Sequence, residues 1–173
     1  SNTTSLEVSG TSNLGADVTT SSTQTYTSGV TLSGADRTLT ASTVNFVDTL
    51  NGGANGLTIA GNLDLDGAAT NLSTLAVSGT SNLGADVTTS STQTYSGAVT
   101  LSTDVTLTTT DSNITFAVTV DGDGTARDLT IDMDNSGVSA DGTVQFANTV
   151  GANNSLDVID ITGNLNLDAA ISN

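Results

Sequence analysis

The sequence predicts an all-β chain wound as a parallel β-helix, a β-solenoid of about seven coils of 18–30 residues. Three observations predict it: a composition of strand and turn formers, a long internal repeat, and strands too short for a sandwich. Threonine is the commonest of the 173 residues, with 34 copies, and the apolar set is Val, Leu, Ile and Ala rather than aromatic. β-Branched side chains suit a pleated strand, whereas the 18 glycines and the many Asn and Asp suit turns. The helix formers Lys, Glu, Gln and Met are almost missing. With 35% hydrophobic and only 12% charged residues, the chain lacks the Glu-, Lys- and Pro-rich make-up of acidic disorder.

The elements follow in order from the repeat. Residues 6–26 read LEVSGTSNLGADVTTSSTQTY and residues 75–95 read LAVSGTSNLGADVTTSSTQTY, differing only at Glu7 against Ala76. Near-identity over this length predicts one local conformation for both. The step that begins at Val30 divides into three short strands, Val30–Leu32, 37–41 and 44–50, separated by Gly, Ser or Asp. A second motif begins at Val44, Ile114 and Val144. In it a β-branched residue is followed two positions later by Phe (Phe46, Phe116, Phe146), then a turn and another alternating strand. These three phenylalanines are expected to stack at one corner. A third pair, GNLDLD from Gly61 and GNLNLD from Gly163, alternates Leu with Asn or Asp, so Leu63/Leu65 and Leu165/Leu167 each point to one face.

Taking Leu6, Val30, Leu57, Leu75, Val99, Leu129 and Leu156 as equivalent strand starts gives steps of 18 to 30 residues. Each step holds about three strands of three to six residues. Such short strands suit coils that pair with neighbours above and below. Asn and Thr at equivalent outer positions are expected to form side-chain ladders. The reading is one domain, 1–173, with internal repeats 6–74 and 75–173. The pattern also closes on itself. Leu65 to Leu75 spans ten residues, and running from Leu167 past Asn173 into Ser1 reaches Leu6 in twelve. Either a longer repetitive protein or copies stacked end to end would produce that closure.

Composition narrows the function. The chain has no Cys, His or Lys, and its formal net charge is -16. Cys/His zinc sites, common haem ligation, cysteine nucleophiles and Ser-His-Asp triads are excluded. Arg37 and Arg127 are the only basic residues, too few to neutralise phosphates, so neither nucleic acid nor an anionic membrane surface is an expected partner. No segment reaches 18 consecutive apolar residues, so membrane insertion is not expected.

Carboxylates and hydroxyls remain. Asp132-Met133-Asp134-Asn135-Ser136-Gly137 matches the opening of a calcium loop, although Thr143 stands where such a loop needs a bidentate Glu. Asp121 and Asp123 supply two more carboxylates beside glycines, and Asp128 is close in sequence. The candidate calcium ligands are therefore Asp121, Asp123, Asp132 and Asp134, against the plainer reading that Asp and Gly are turn residues. Calcium is the one candidate cofactor. Asp64, Asp66 and Asp168 are the carboxylates a glycosidase would use. However, the best-preserved segment, with Tyr26 and Tyr95, is duplicated rather than unique, so the chain is expected not to be an enzyme. Threonine rows at Thr38/Thr40 and Thr106/Thr108 suggest ice binding, but the irregular steps argue against a flat array.

The strings TQTYSGAVTL (residues 92–101) and DVTLTTTDSNITF (residues 104–116), with the GNL-type strands, resemble the repeats of large secreted bacterial surface proteins. These are the filamentous-haemagglutinin-like and related β-solenoid adhesins. The resemblance implies a right-handed parallel β-helix displayed outside the cell as an adhesin, stalk or fibre. The expected partner is the chain itself, head to tail along the solenoid axis, with surface carbohydrate as the alternative.

Overall fold

From Leu75 onward, inward-facing side chains come in pairs that recur every six residues. Leu75/Val77, Ser81/Leu83, Val87/Thr89, Gln93/Tyr95 and Val99/Leu101 are buried, and the residue between each pair is less so. This is the period-two alternation of a strand, interrupted at each corner by three residues that turn the chain. Three sides complete a circuit, so Leu75 pairs with Gln93 and Ser81 with Val99, each 18 residues on. The computed structural model describes residues 3–134 and 142–172; there the chain is all-β, with parallel strands in a solenoid of about eight turns. Among the described residues no helix is long and apolar enough to cross a membrane.

Register defines three faces. The first runs from Leu6 through Gln24, Val44, Leu63, Ser81 and Val99 to Val120, and continues by single bridges to Val150 and Ile171. The second runs from Ser12 through Val30, Leu50, Ala69, Val87, Leu107 and Ile131 to Ile161. The third runs from Val18 through Leu39, Ile59, Val77, Tyr95, Phe116 and Phe146 to Leu167. The second face is the eight-stranded sheet, whereas the first and third merge into a thirteen-stranded one. They merge because Arg37–Phe46 and Leu57–Leu65 pass the corner between them unbroken, with a register shift between Thr40 and Thr43.

This arrangement corrects three expectations. There are about eight turns rather than seven. The seven strand starts do not form one column: Leu6 and Val99 lie on the first face, Val30 and Leu129 on the second, and Leu57 and Leu75 on the third. Leu156 lies outside the strands. The phenylalanines do not share one corner either. Tyr95, Phe116 and Phe146 stack along the third face, with centroids 5.2 and 5.1 Å apart, while Phe46 stacks on Tyr26 of the first face at 5.4 Å. One cause underlies the last two corrections. A six-residue side fits any face, so a sequence motif can recur a third of a turn out of phase. The two repeat copies do so: Leu6 opens on the first face and Leu75 on the third, yet each pairs with the Gln 18 residues later.

The lumen holds one polar couple in each copy. Tyr26 Oη donates to Gln24 Oε1 (3.2 Å), and Tyr95 Oη donates to Gln93 Oε1 (3.0 Å). Gln24 Nε2 donates to Val18 O and across to Thr40 O of the next coil; Gln93 Nε2 likewise donates to Val87 O and Thr108 O. One coil further on, both members change together. Gln24/Tyr26 stack against Val44/Phe46, and Gln93/Tyr95 against Ile114/Phe116. A buried polar pair is tolerable when fully bonded or fully replaced, and costly when halved. Gln93→Ile alone should therefore cost about 1–3 kcal/mol in urea unfolding, by stranding the Tyr95 hydroxyl. The double variant Gln93→Ile/Tyr95→Phe should recover most of that loss. Additive losses would show that the couple is not an energetic unit.

Burial also pushes the Tyr26 phenol up to about 12 and the Tyr95 phenol further in the same direction. The folded state then holds both protons beyond the ordinary value of 10.0. Stability from these groups is complete below about pH 10 and falls by about 1.4 kcal/mol per tyrosine per pH unit as pH rises toward 12. Thermal melts from pH 9 to 12 should show that decline, and Tyr26→Phe/Tyr95→Phe should flatten it. A decline unaltered by the double variant would assign it to other groups.

The abundant aspartates have a structural role at the corners. Asp17 Oδ1 accepts the Thr38 N–H (2.9 Å), Asp36 that of Gly56 (2.7 Å), Asp86 that of Thr106 (2.8 Å), and Asp104 that of Asp128 (3.1 Å). In each case the carboxylate just before a strand reaches the backbone one coil later. Charge-assisted bonds of this kind satisfy backbone amides at strand starts (Thr38, Thr106) and in the corners just before them (Gly56, Asp128). Outer side chains also bond from coil to coil in places, as where Asn82 Nδ2 donates to Asp64 Oδ1 (2.9 Å) and Asn71 Nδ2 to Asn51 Oδ1 (3.3 Å), each a single rung rather than the expected ladder.

Candidate functional site

The two end faces of the solenoid are where its regularity is unfinished. At one end, among the described residues, Leu6–Val8, Ser12–Leu14 and Val18–Thr19 each pair with the coil after them alone. At the other, among the described residues, Ile159–Thr162 pairs with Leu129–Asp132, and Asn164–Leu167 with Thr143–Phe146. A strand paired along one side offers its other edge as a template for another strand.

Apolar exposure follows the same geometry. Leu63 and Leu65 lie in the GNLDLD strand and are 3% and 1% exposed, whereas their GNLNLD counterparts Leu165 and Leu167 are 48% and 41% exposed. Val158 and Ile171 are exposed at the same end, while Val47 is the other large apolar side chain exposed among the described residues. The lumen opens there as a cavity of about 360 Å³ lined by Val150, Leu156, Ile159 and Ile171. At the opposite end Leu6, Val8, Leu14 and Val18 are half-buried against the core. Nearly the same strand is thus covered at Leu63–Leu65 and exposed at Leu165–Leu167.

The acidic candidates are distributed differently. Asp121 lies on the first face beside Thr100, and Asp132 on the second beside Thr108 and Thr162. Asp121 accepts from the backbone N–H and side-chain amide of Asn153 (3.0 and 2.9 Å). Burial alone would raise its carboxyl, but the bonds from Asn153, Thr119 and Asn154 together hold it below the usual range. Asp123 is engaged by Arg127, with Nη2 2.8 Å from Oδ2, which draws the carboxyl down to about 2. Asp132 Oδ1 accepts the Asp134 N–H (3.2 Å). Asn135, Ser136 and Gly137 of the calcium-like string lie outside the described residues. Among the described residues no group of three or more acidic side chains is placed to hold a metal ion.

Of the carboxylates considered for sugar cleavage, Asp64 and Asp66 are neighbours near the first face, and burial together with the Asp64 charge raises the Asp66 carboxyl. Asp168 follows the third face near the far end and accepts from Gln145 Nε2 (3.0 Å). The structure brings the first two together but not the third. The outward column of the third face reads Thr38, Thr58, Ala76, Thr94 and Thr115, then Gln145 and Asn166, so its threonines are interrupted. In comparisons with known proteins, no family model, curated protein or solved structure matches the chain.

Proposed function

We propose that this chain is a structural element of an extracellular surface fibre, lengthening by coil-on-coil pairing at its ends. The observation that carries this reading is that residues 159–171 repeat residues 57–69, the segment on which the second repeat copy stacks inside the rod. Covering a strand of this kind with a further coil gains about 1.5–3 kcal/mol for each large apolar side chain fully buried and satisfies a row of backbone groups. The net charge of -16 opposes side-by-side clumping while leaving the axial direction free. Likeness of the repeats to filamentous-haemagglutinin-like adhesins supports placing the fibre outside the cell.

A second reading, an adhesin stalk, is favoured by one observation. The irregular corners form a recess of about 220 Å³ lined by Gly124, Thr125, Asn153, Asn154 and Ser155, whose amides and hydroxyls suit sugar hydroxyl groups. Negative-stain electron microscopy over a concentration series separates the two. Fibres that lengthen with concentration support assembly; monomers at every concentration that bind glycans on an array support the adhesin.

A further inference from the structure

We propose that the end face built from Ile159–Thr162 and Asn164–Leu167 receives the first coil of a second copy of this chain, in a defined register and turned by one face. This deepens the assembly reading and rests on it. The chain carries the joint internally. Residues 57–69 (LTIAGNLDLDGAA) and 159–171 (IDITGNLNLDAAI) align without a gap. Each supplies two inward pairs on consecutive faces, and each turns the corner between them at a left-handed glycine, Gly61 (φ 151°) and Gly163 (φ 133°).

Inside the rod, the sequence stacked on 57–69 is the second repeat copy. Leu75–Val77 pairs with 57–59, Ser81–Leu83 with 63–65, and Val87 with Ala69. The first repeat copy, nearly identical, forms the opposite end face of the chain. A second copy therefore brings Leu6–Val8 onto 159–161, Ser12–Leu14 onto 165–167, and Val18 onto Ile171. Leu6 opens the first face and Ile159 belongs to the second, so the incoming copy is rotated by one face. The two internal repeats already sit one face apart, so the sequence accepts that rotation. Without it, Leu6–Val8 would meet Ile171, and no coil would lie on Ile159–Thr162 or Leu165–Leu167.

The single difference between the repeats falls on this joint. Ala76 faces Thr58 inside the rod, whereas Glu7 of the incoming copy would face Asp160. Like charges directly opposite weaken a strand pair. Asn13 would face Asn166, where the interior has Asn82 donating to Asp64. The joint is thus complementary along its length except at Glu7, which sets the concentration at which copies join.

The chain has no cysteine, so introduced thiols report one contact each. In the proposed register Asn13 and Asn166 of neighbouring copies have Cα atoms about 4.8 Å apart, within disulfide range. Asn13→Cys mixed with Asn166→Cys under mild oxidation should give mixed dimers, and Glu7→Cys mixed with Asn166→Cys should give few. Glu7→Ala should lower the concentration needed for assembly by up to about fivefold, and Glu7→Lys should lower it further. Fibres that form without Asn13–Asn166 mixed dimers overturn the register and leave assembly standing. Absence of both fibres and mixed dimers, in the wild type and in Glu7→Ala, overturns both.

Discussion

Phe116→Ala is expected to destabilise the chain by about 3–5 kcal/mol, the largest loss among single side-chain truncations in the lumen. Phe116 is fully buried and lies between Tyr95 and Phe146, nearly parallel to both rings, at 9° and 4°. Removing it leaves a ring-sized void in a lumen only one coil wide, and two aromatic contacts vanish together. Coils above and below are held by backbone pairing and cannot slide inward to fill the gap. Urea unfolding followed by circular dichroism measures the effect. Phe116→Tyr separates packing from polarity, because Ile114 occupies the position where Gln93 accepts the Tyr95 hydroxyl. That variant should lose about 1–3 kcal/mol despite its nearly equal size. A Phe116→Ala loss below about 1 kcal/mol would mean that the rings do not pack as described.

Gly61→Ala should cost about 3 kcal/mol or more, an unusual sensitivity for a residue outside the core. Gly61 takes a φ of 151° at the corner where Leu57–Leu65 passes from the third face to the first. A Cβ there would overlap the carbonyl oxygen of Ala41 in the preceding coil, and that oxygen is backbone that cannot swing aside. Gly10→Ala is the control. No atom lies within 4 Å of a Cβ at that position, and the change should stay within about 0.5 kcal/mol of the wild type. Equal melting temperatures for the two variants would contradict the tight coil-to-coil approach at the GN corner.

Much of this architecture was legible in local sequence. Alternation in LDL, VTL and ITF places side chains in and out without reference to anything distant, so all-β coils of short parallel strands follow from the chain itself. The six-residue period was harder to see. Ser12, Ser81, Gln24 and Gln93 occupy inward positions, so hydrophobicity lapses where the period needs it. Extra residues at corners such as 52–56 and 123–128 then break the count. Which face a motif lands on depends on all the corner lengths before it, which no local pattern records. The paired change from Gln24/Tyr26 to Val44/Phe46 was present in the sequence and could have disclosed both the lumen network and the true stacking partners. The end faces were invisible for a different reason. Leu63 and Leu165 sit in almost the same hexapeptide, and only the number of coils stacked above each distinguishes covered from bare. Aspartates before strands read as ordinary turn residues, because their acceptor role is fulfilled 20 or more residues away.

Successive coils stack along one axis, so that residues one circuit apart differ only by a rise. On the first face, Glu7, Thr25, Asn45, Asp64, Asn82 and Thr100 form one outward column. Spin labels at Glu7 paired in turn with Asp64, Asn82 and Thr100 measure that column by dipolar electron spectroscopy. Coil stacking predicts backbone separations of about 14, 19 and 24 Å, rising by about 4.8 Å for each added coil. Separations that fail to grow, or that shorten as the chain returns in an antiparallel sheet, would contradict it.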